Sequence, residues 1–175
     1  MIAALGAATL IPAVSQADED LYFGPQVGLY FPASSELRDA LGDTWFSFGA
    51  SFIRDTHMPD RRWAHDWQVL SRRDKGNKLF IFTGSFGYVA SLGDPEDNFE
   101  PYAALRAGLS YMDYSIDLAG DYKSSKRLGF NANAALGVNL NRRVNIELRY
   151  DLFSQQDELT FDGLSLAVKV GLVRF

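Results

Sequence analysis

Apolar and polar residues alternate without a break from Val144 to Leu152. Val144, Ile146, Leu148, Tyr150 and Leu152 fall on one face, and Asn145, Glu147, Arg149 and Asp151 on the other. A period of two predicts a strand, because successive side chains leave opposite faces. The polar face carries both signs of charge, which is costly in a dry core unless the charges meet water or one another.

The same rhythm recurs along the chain. Phe23, Val27, Leu29 and Phe31 mark a first strand ended by Pro32. Residues 34–41 predict one or two helical turns, with Ser34 as cap, Glu36 in the first turn, Leu37 and Leu41 on one face and Gly42 as the stop. A second strand carries Phe46, Phe48, Ala50 and Phe52, and a turn or loop follows over 55–62. The third strand, around 65–73, has the weakest pattern, with Trp67 and Val69 in phase. Asp74-Lys75-Gly76-Asn77 is a hairpin turn. The fourth strand aligns Phe80, Phe82, Phe86 and Tyr88, with Ile81 and Val89 out of pattern, and Gly93-Asp94-Pro95 turns the chain. The fifth aligns Ala103, Leu105, Ala107, Leu109 and Tyr111 and ends near Tyr114. A polar loop is expected over 117–126. The sixth runs from Leu128 to Leu140, a short turn at 139–142 leads into the seventh, and 155–158 is a polar loop. The last strand places Leu164, Leu166, Val168, Val170 and Leu172 together.

About eight strands with short connections favour antiparallel neighbours. Several reach ten residues or more, enough for a tilted strand to cross a bilayer. The inference is an all-β fold: an eight-stranded antiparallel up-and-down transmembrane β-barrel with a short helix in the first outer loop. In a membrane barrel the apolar face meets lipid and the polar face points inward; in a soluble ligand-binding barrel the reverse holds. One face here is almost entirely Leu, Val, Ile, Phe and Ala. The other is rich in Gly, Ser and Asn with a few long charged chains, which suits the narrow interior of eight strands.

Composition supports this. Cysteine is absent, which excludes disulfides and thiolate sites, and a net charge of −5 argues against nucleic-acid binding. After the first few positions no apolar run is long enough for a membrane helix. Residues 2–14 are apolar and Ser15-Gln16-Ala17 resembles a signal-peptidase site. Residues 1–17 are therefore expected to be a secretory signal, with the barrel domain over 18–175. The signal lacks a basic n-region, which is expected to reflect a start assigned too late.

The terminal Phe175, the segment Phe23-Gly-Pro-Gln-Val-Gly-Leu-Tyr-Phe31 and the strictly alternating seventh strand together resemble the OmpA-like small outer-membrane barrels. The resemblance implies a cell outer membrane location and a terminal Phe that faces lipid. Phe175 falls on the polar phase of the last strand, so a bulge near Gly171 is needed to turn it outward. The peptidoglycan-binding module of some relatives is not expected.

Candidate chemistry is sparse. Arg106, Glu147, Arg149, Asp151 and Lys169 share the inward phase. They are expected to form a paired network that plugs the barrel; gating of a narrow water path is the competing reading. Arg72, Arg73, Lys75 and Lys78 cluster at the third hairpin. With Lys123, Lys126 and Arg127, they are candidates for lipid-phosphate contacts at the outer surface, and a solvated turn is the alternative. Trp45, Trp63 and Trp67 are expected near membrane interfaces. His57 and His65, the only histidines, sit in no recognisable motif. No catalytic group, cofactor or metal is therefore expected. The function expected is structural or interaction-type, as a monomer in contact with outer-membrane lipid and an unidentified surface partner. A lipid A deacylase-like enzyme and a soluble lipocalin-like binder are the alternatives.

Overall fold

The structure, a computed structural model, describes residues 21–54, 63–93, 98–118, 120–140 and 143–174. The expected signal, the loop over 55–62 with His57, and Phe175 lie outside the described residues. The elements are β1 (Leu21–Pro32), α1 (Ser35–Leu41), β2 (Trp45–Arg54), β3 (Trp63–Asp74), β4 (Asn77–Ser91), β5 (Phe99–Leu118), β6 (Asp121–Leu140), β7 (Val144–Phe153), β8 (Gly163–Val170) and β9 (Val173–Arg174). Each strand from β1 to β8 pairs antiparallel with the next, and β8 pairs with β1 to close the barrel. No described helix is long and apolar enough to cross a membrane.

Closure decides which face is outside. Leu105 is 67% exposed, Leu136 61% and Leu148 46%, whereas their neighbours Arg106, Glu147 and Arg149 are buried. Away from the α1 end, the apolar phase faces outward on every strand, as a lipid-embedded barrel requires. A soluble binder would enclose those side chains.

β9 continues β8 with the register moved by one residue. Gln26 pairs with Lys169, but Tyr22 pairs with Arg174. Gly171 and Leu172 form the bulge between them. The Gly171 amide donates to the Arg143 carbonyl (2.7 Å) and that of Leu172 to the Phe23 carbonyl (3.0 Å). The one-residue shift brings Val173 to the outer face, as the expected bulge would.

The β3–β4 turn follows its sequence: Lys75 and Gly76 both have positive φ (48° and 88°), the backbone of a type I′ turn. The polar stretch 117–126 is not a loop. β5 runs on to Leu118 and β6 starts at Asp121, so two twenty-residue strands form one hairpin, paired from Leu118↔Asp121 down to Phe99↔Leu140. On β6, residues 121–127 are polar on both faces, and on β5 the phase inverts, with Met112, Tyr114 and Ile116 inward and Asp113, Ser115 and Asp117 outward, so the outward apolar pattern stops there.

The helix is capped as its sequence dictates. Ser34 Oγ accepts from the Leu37 amide, and Gly42 at φ 85° donates to the Arg38 carbonyl. It does not stand off as an outer loop, however. Leu37, Ala40 and Leu41 turn into the barrel mouth and are buried there.

Candidate functional site

Two layers fill the barrel. The first is ionic. Small inward residues on β5, β6 and β8, namely Ala104, Ala135, Gly137, Ser165 and Ala167, leave room for long charged chains from adjacent positions. Arg106 forks onto Glu147, Nη2 to Oε2 at 2.6 Å and Nη1 to Oε1 at 3.1 Å. Lys169 Nζ donates to Glu147 Oε1 and to Asp66 Oδ2, each at 3.0 Å. Arg149 reaches Asp66 at 3.1 Å and Asp151 at 2.9 Å, and also donates to the side-chain oxygen of Gln68. Ser165 Oγ donates to Asp151 at 2.8 Å.

Three cations, Arg106, Arg149 and Lys169, therefore meet three anions, Asp66, Glu147 and Asp151, all almost fully buried. Charges held out of water persist only with such partners. Asp66 on β3 lies opposite β7 in the ring of eight, so its bonds to Arg149 and Lys169 tie the two walls across the axis. All five residues expected in the network belong to it. Asp66 and Gln68 were missed because β3 has the weakest alternation. Their signal was a polar residue on each side of outward Trp67, in the opposite phase to Trp67 and Val69.

Tyr102 adds a further tie. Its ring crosses Gly137, where a Cβ would lie 2.3 Å from the phenol, and its hydroxyl meets Glu147 Oε2 and Asn145 Oδ1, each at 2.7 Å. Only the missing side chain at Gly137 allows that path. Gly137→Ala should cost about 1–3 kcal/mol through overpacking, read by urea unfolding in vesicles.

The second layer is apolar and lies under α1. Leu37 and Leu41 pack with Tyr30, Trp45, Leu70, Ile81, Met112 and Tyr114. The inward face at this end is thus hydrophobic, and Ile81, out of pattern in the sequence, belongs to it. Trp45 is here too, stacked on Tyr30 with centroids 5.3 Å apart, and not at an interface. Its indole N–H donates to the Gly42 carbonyl at 2.9 Å, which resolves its one polar atom. Trp63 and Trp67 do lie on the outer surface, Trp63 stacked on Phe86 at 4.7 Å. Leu37→Ala should cost about 2–5 kcal/mol, checked in the same unfolding assay.

At the α1 end the basic residues divide. Arg73 and Lys78 are cross-strand partners and exposed. Lys75 is exposed in the turn, while Arg72 turns inward and donates from Nε to the Leu41 carbonyl (2.7 Å), pinning the helix. Lys126 pairs with Asp113 (3.0 Å), Arg127 with Asp157 (3.1 Å), and Lys123 with Asp121 (3.6 Å) and Glu158 (3.5 Å). The Tyr114 hydroxyl donates to Asp157 at 2.7 Å and, with Arg127, holds that carboxyl below its ordinary range. A depressed value means the tie is intact above the ordinary carboxylate range and lost as pH falls through the lowered one. The β7–β8 loop should stay docked at ~pH 4 and release only below it, read from the NMR shifts of 154–162.

His65 lies on the outer face of β3 beside Phe52 and Phe86. Among the described residues no group of His, Asp and Glu is arranged to hold a metal.

No protein-family model matches the sequence, and no curated protein sequence does. Solved structures do match in fold. The N-terminal β-barrel domain of Pseudomonas aeruginosa OprF is 13% identical, covering 87% of this chain and 97% of its own, with a TM-score of 0.56. Neisserial surface protein A is 15% identical over 89% and 98%, TM-score 0.55. The outer membrane enzyme PagL is 14% identical over 86% and 99%, TM-score 0.59. At such identities the likeness is one of fold. The fold is that of the small eight-stranded outer-membrane barrels, and with the apolar outer belt it places the chain in the outer membrane.

Proposed function

We propose that this chain is an OmpA-like outer-membrane barrel of structural or interaction type, acting through its outer surface and not through its lumen. The supporting observation is the double seal of the interior. A charge-balanced network ties opposite walls, and an apolar plug under α1 lies above it. The α1 end faces the cell exterior, where the helix-bearing first connection, the projecting β5–β6 hairpin and the β7–β8 connection over 154–162 all lie. There Arg73, Lys75 and Lys78 contact lipid phosphates, while Arg72 serves the helix. The barrel works as a monomer without a cofactor.

The test uses the refolded protein in planar bilayers and in lipid A-containing vesicles. The expected results are no steady conductance and no release of acyl chains. Sustained current would refute the sealed lumen. Acyl release lost on His65→Ala or His57→Ala would establish the lipid-modifying alternative.

A further inference from the structure

The long hairpin leaves part of β6 without a neighbour. β6 pairs with β5 over its whole length, but with β7 only from Asn131 to Leu140. Above that, Phe130 takes its last partner from Ser154, whose amide donates to the Phe130 carbonyl (2.9 Å) and whose hydroxyl accepts from the Phe130 amide (3.1 Å). The backbone groups of Phe130 therefore point toward β7. By alternation so do those of Leu128, Lys126, Ser124 and Tyr122. Among the described residues no strand pairs with this edge. Beyond Ser154, the β7–β8 loop reaches β6 through the side chains of Lys123, Ser125 and Arg127, which leave the inward face and not the backbone edge.

Such an edge cannot lie in hydrocarbon, where no water would satisfy its groups. It therefore stands clear of the membrane. We propose that this edge, residues 122–128 of β6, is a docking site for an extended segment of another polypeptide, which adds to the β5–β6 hairpin as a strand. The inference rests on the reading of this chain as an interaction-type barrel and names its site and partner.

The chemistry specifies the occupant. Four alternate residues offer amide and carbonyl groups at strand spacing, a template that an extended backbone matches and a lipid headgroup does not. The charges flanking the edge are already paired within the chain, Lys126 with Asp113 and Arg127 with Asp157, so a polyanion gains little. Tyr122 and Leu128, 67% and 76% exposed, stand on the outer face at either end of the edge. A neutral segment with apolar side chains opposite both fits it. A second copy does not. Copies in one membrane run β6 in the same direction, and a two-fold axis along the membrane normal sets Lys126 against Lys126.

The test is amide hydrogen exchange by NMR on the full chain in nanodiscs. The probe is a seven-residue Thr/Val peptide N-methylated at alternate positions, so that it offers one hydrogen-bonding edge and cannot self-associate. Without it, the amides of Tyr122, Ser124, Lys126 and Leu128 should exchange fast, and those of Lys123, Ser125 and Arg127 slowly. With it, the four even amides should gain about tenfold protection or more. Ser124→Pro, which removes an edge-facing N–H but no bond to β5, should abolish the gain while the barrel stays heat-modifiable. Even amides already protected alone, or unchanged by the peptide, would overturn the proposal. Neither outcome bears on conductance or acyl release, so the functional reading fails separately.

Discussion

Glu147→Ala should destabilise the barrel by about 3–5 kcal/mol, because it strips two buried cations of a shared counter-charge. Arg106 loses both arms of its fork, Lys169 loses one of its two carboxylates, and Tyr102 loses an acceptor. Nothing in the sealed lumen replaces them. The expected readout is urea unfolding in vesicles, followed by tryptophan fluorescence. The interpretation can be separated from simple misfolding. Combining Glu147→Met with Arg106→Met removes one charge of each sign and leaves Arg149 and Lys169 facing Asp66 and Asp151. The double variant should recover most of the loss, since replacing a buried ion pair by apolar residues of similar volume is often close to neutral. A single variant within 1 kcal/mol of wild type would mean that Glu147 is not closed off from water.

The second large effect concerns the opposite face. Leu148→Arg should cost about 2–4 kcal/mol, the penalty for a charge on the lipid face at mid-membrane. Leu148 sits midway along β7, half-exposed on the outer belt between Ile146 and Tyr150. The matched control is Tyr122→Arg. It changes an equally outward residue that stands above the membrane, and it should be nearly neutral. In a water-soluble barrel both substitutions would be mild, so the contrast between them carries the information.

Much of this was legible in the sequence, for a reason tied to the pleat. Wherever one face met lipid and the other met the packed interior, period two was clear, and the inward charges of β5, β7 and β8 could be read from it. The hairpin turn and the helix caps were legible too, because each is fixed by local backbone chemistry, and the bulge near Gly171 followed from the phase of Phe175 set against the family resemblance. Three features were not. The upper half of β6 has polar residues on both faces, and that of β5 inverts its phase, with Met112, Tyr114 and Ile116 inward, so the outward apolar pattern gives no sign of either. Trp45 carries no local mark of whether it faces inward or outward, and only the helix folding into the mouth makes it part of the plug. Asp66 finds its partners, Arg149 and Lys169, more than eighty residues away, and closure of the ring alone brings them together.

The central claim is that the apolar phase of the strands faces acyl chains while the ionic phase closes on the barrel axis. The chain has no cysteine, so single spin-label sites can be placed on the folded protein without background. The direct measurement is collision accessibility of labels at Ile146, Leu148, Tyr150 and Leu152, with Tyr122 and Ser124 for comparison, in lipid bilayers. The four β7 sites should be open to oxygen and closed to a water-soluble nickel chelate, and the two β6 sites the reverse. Chelate access at Leu148 equal to that at Ser124 would contradict the account.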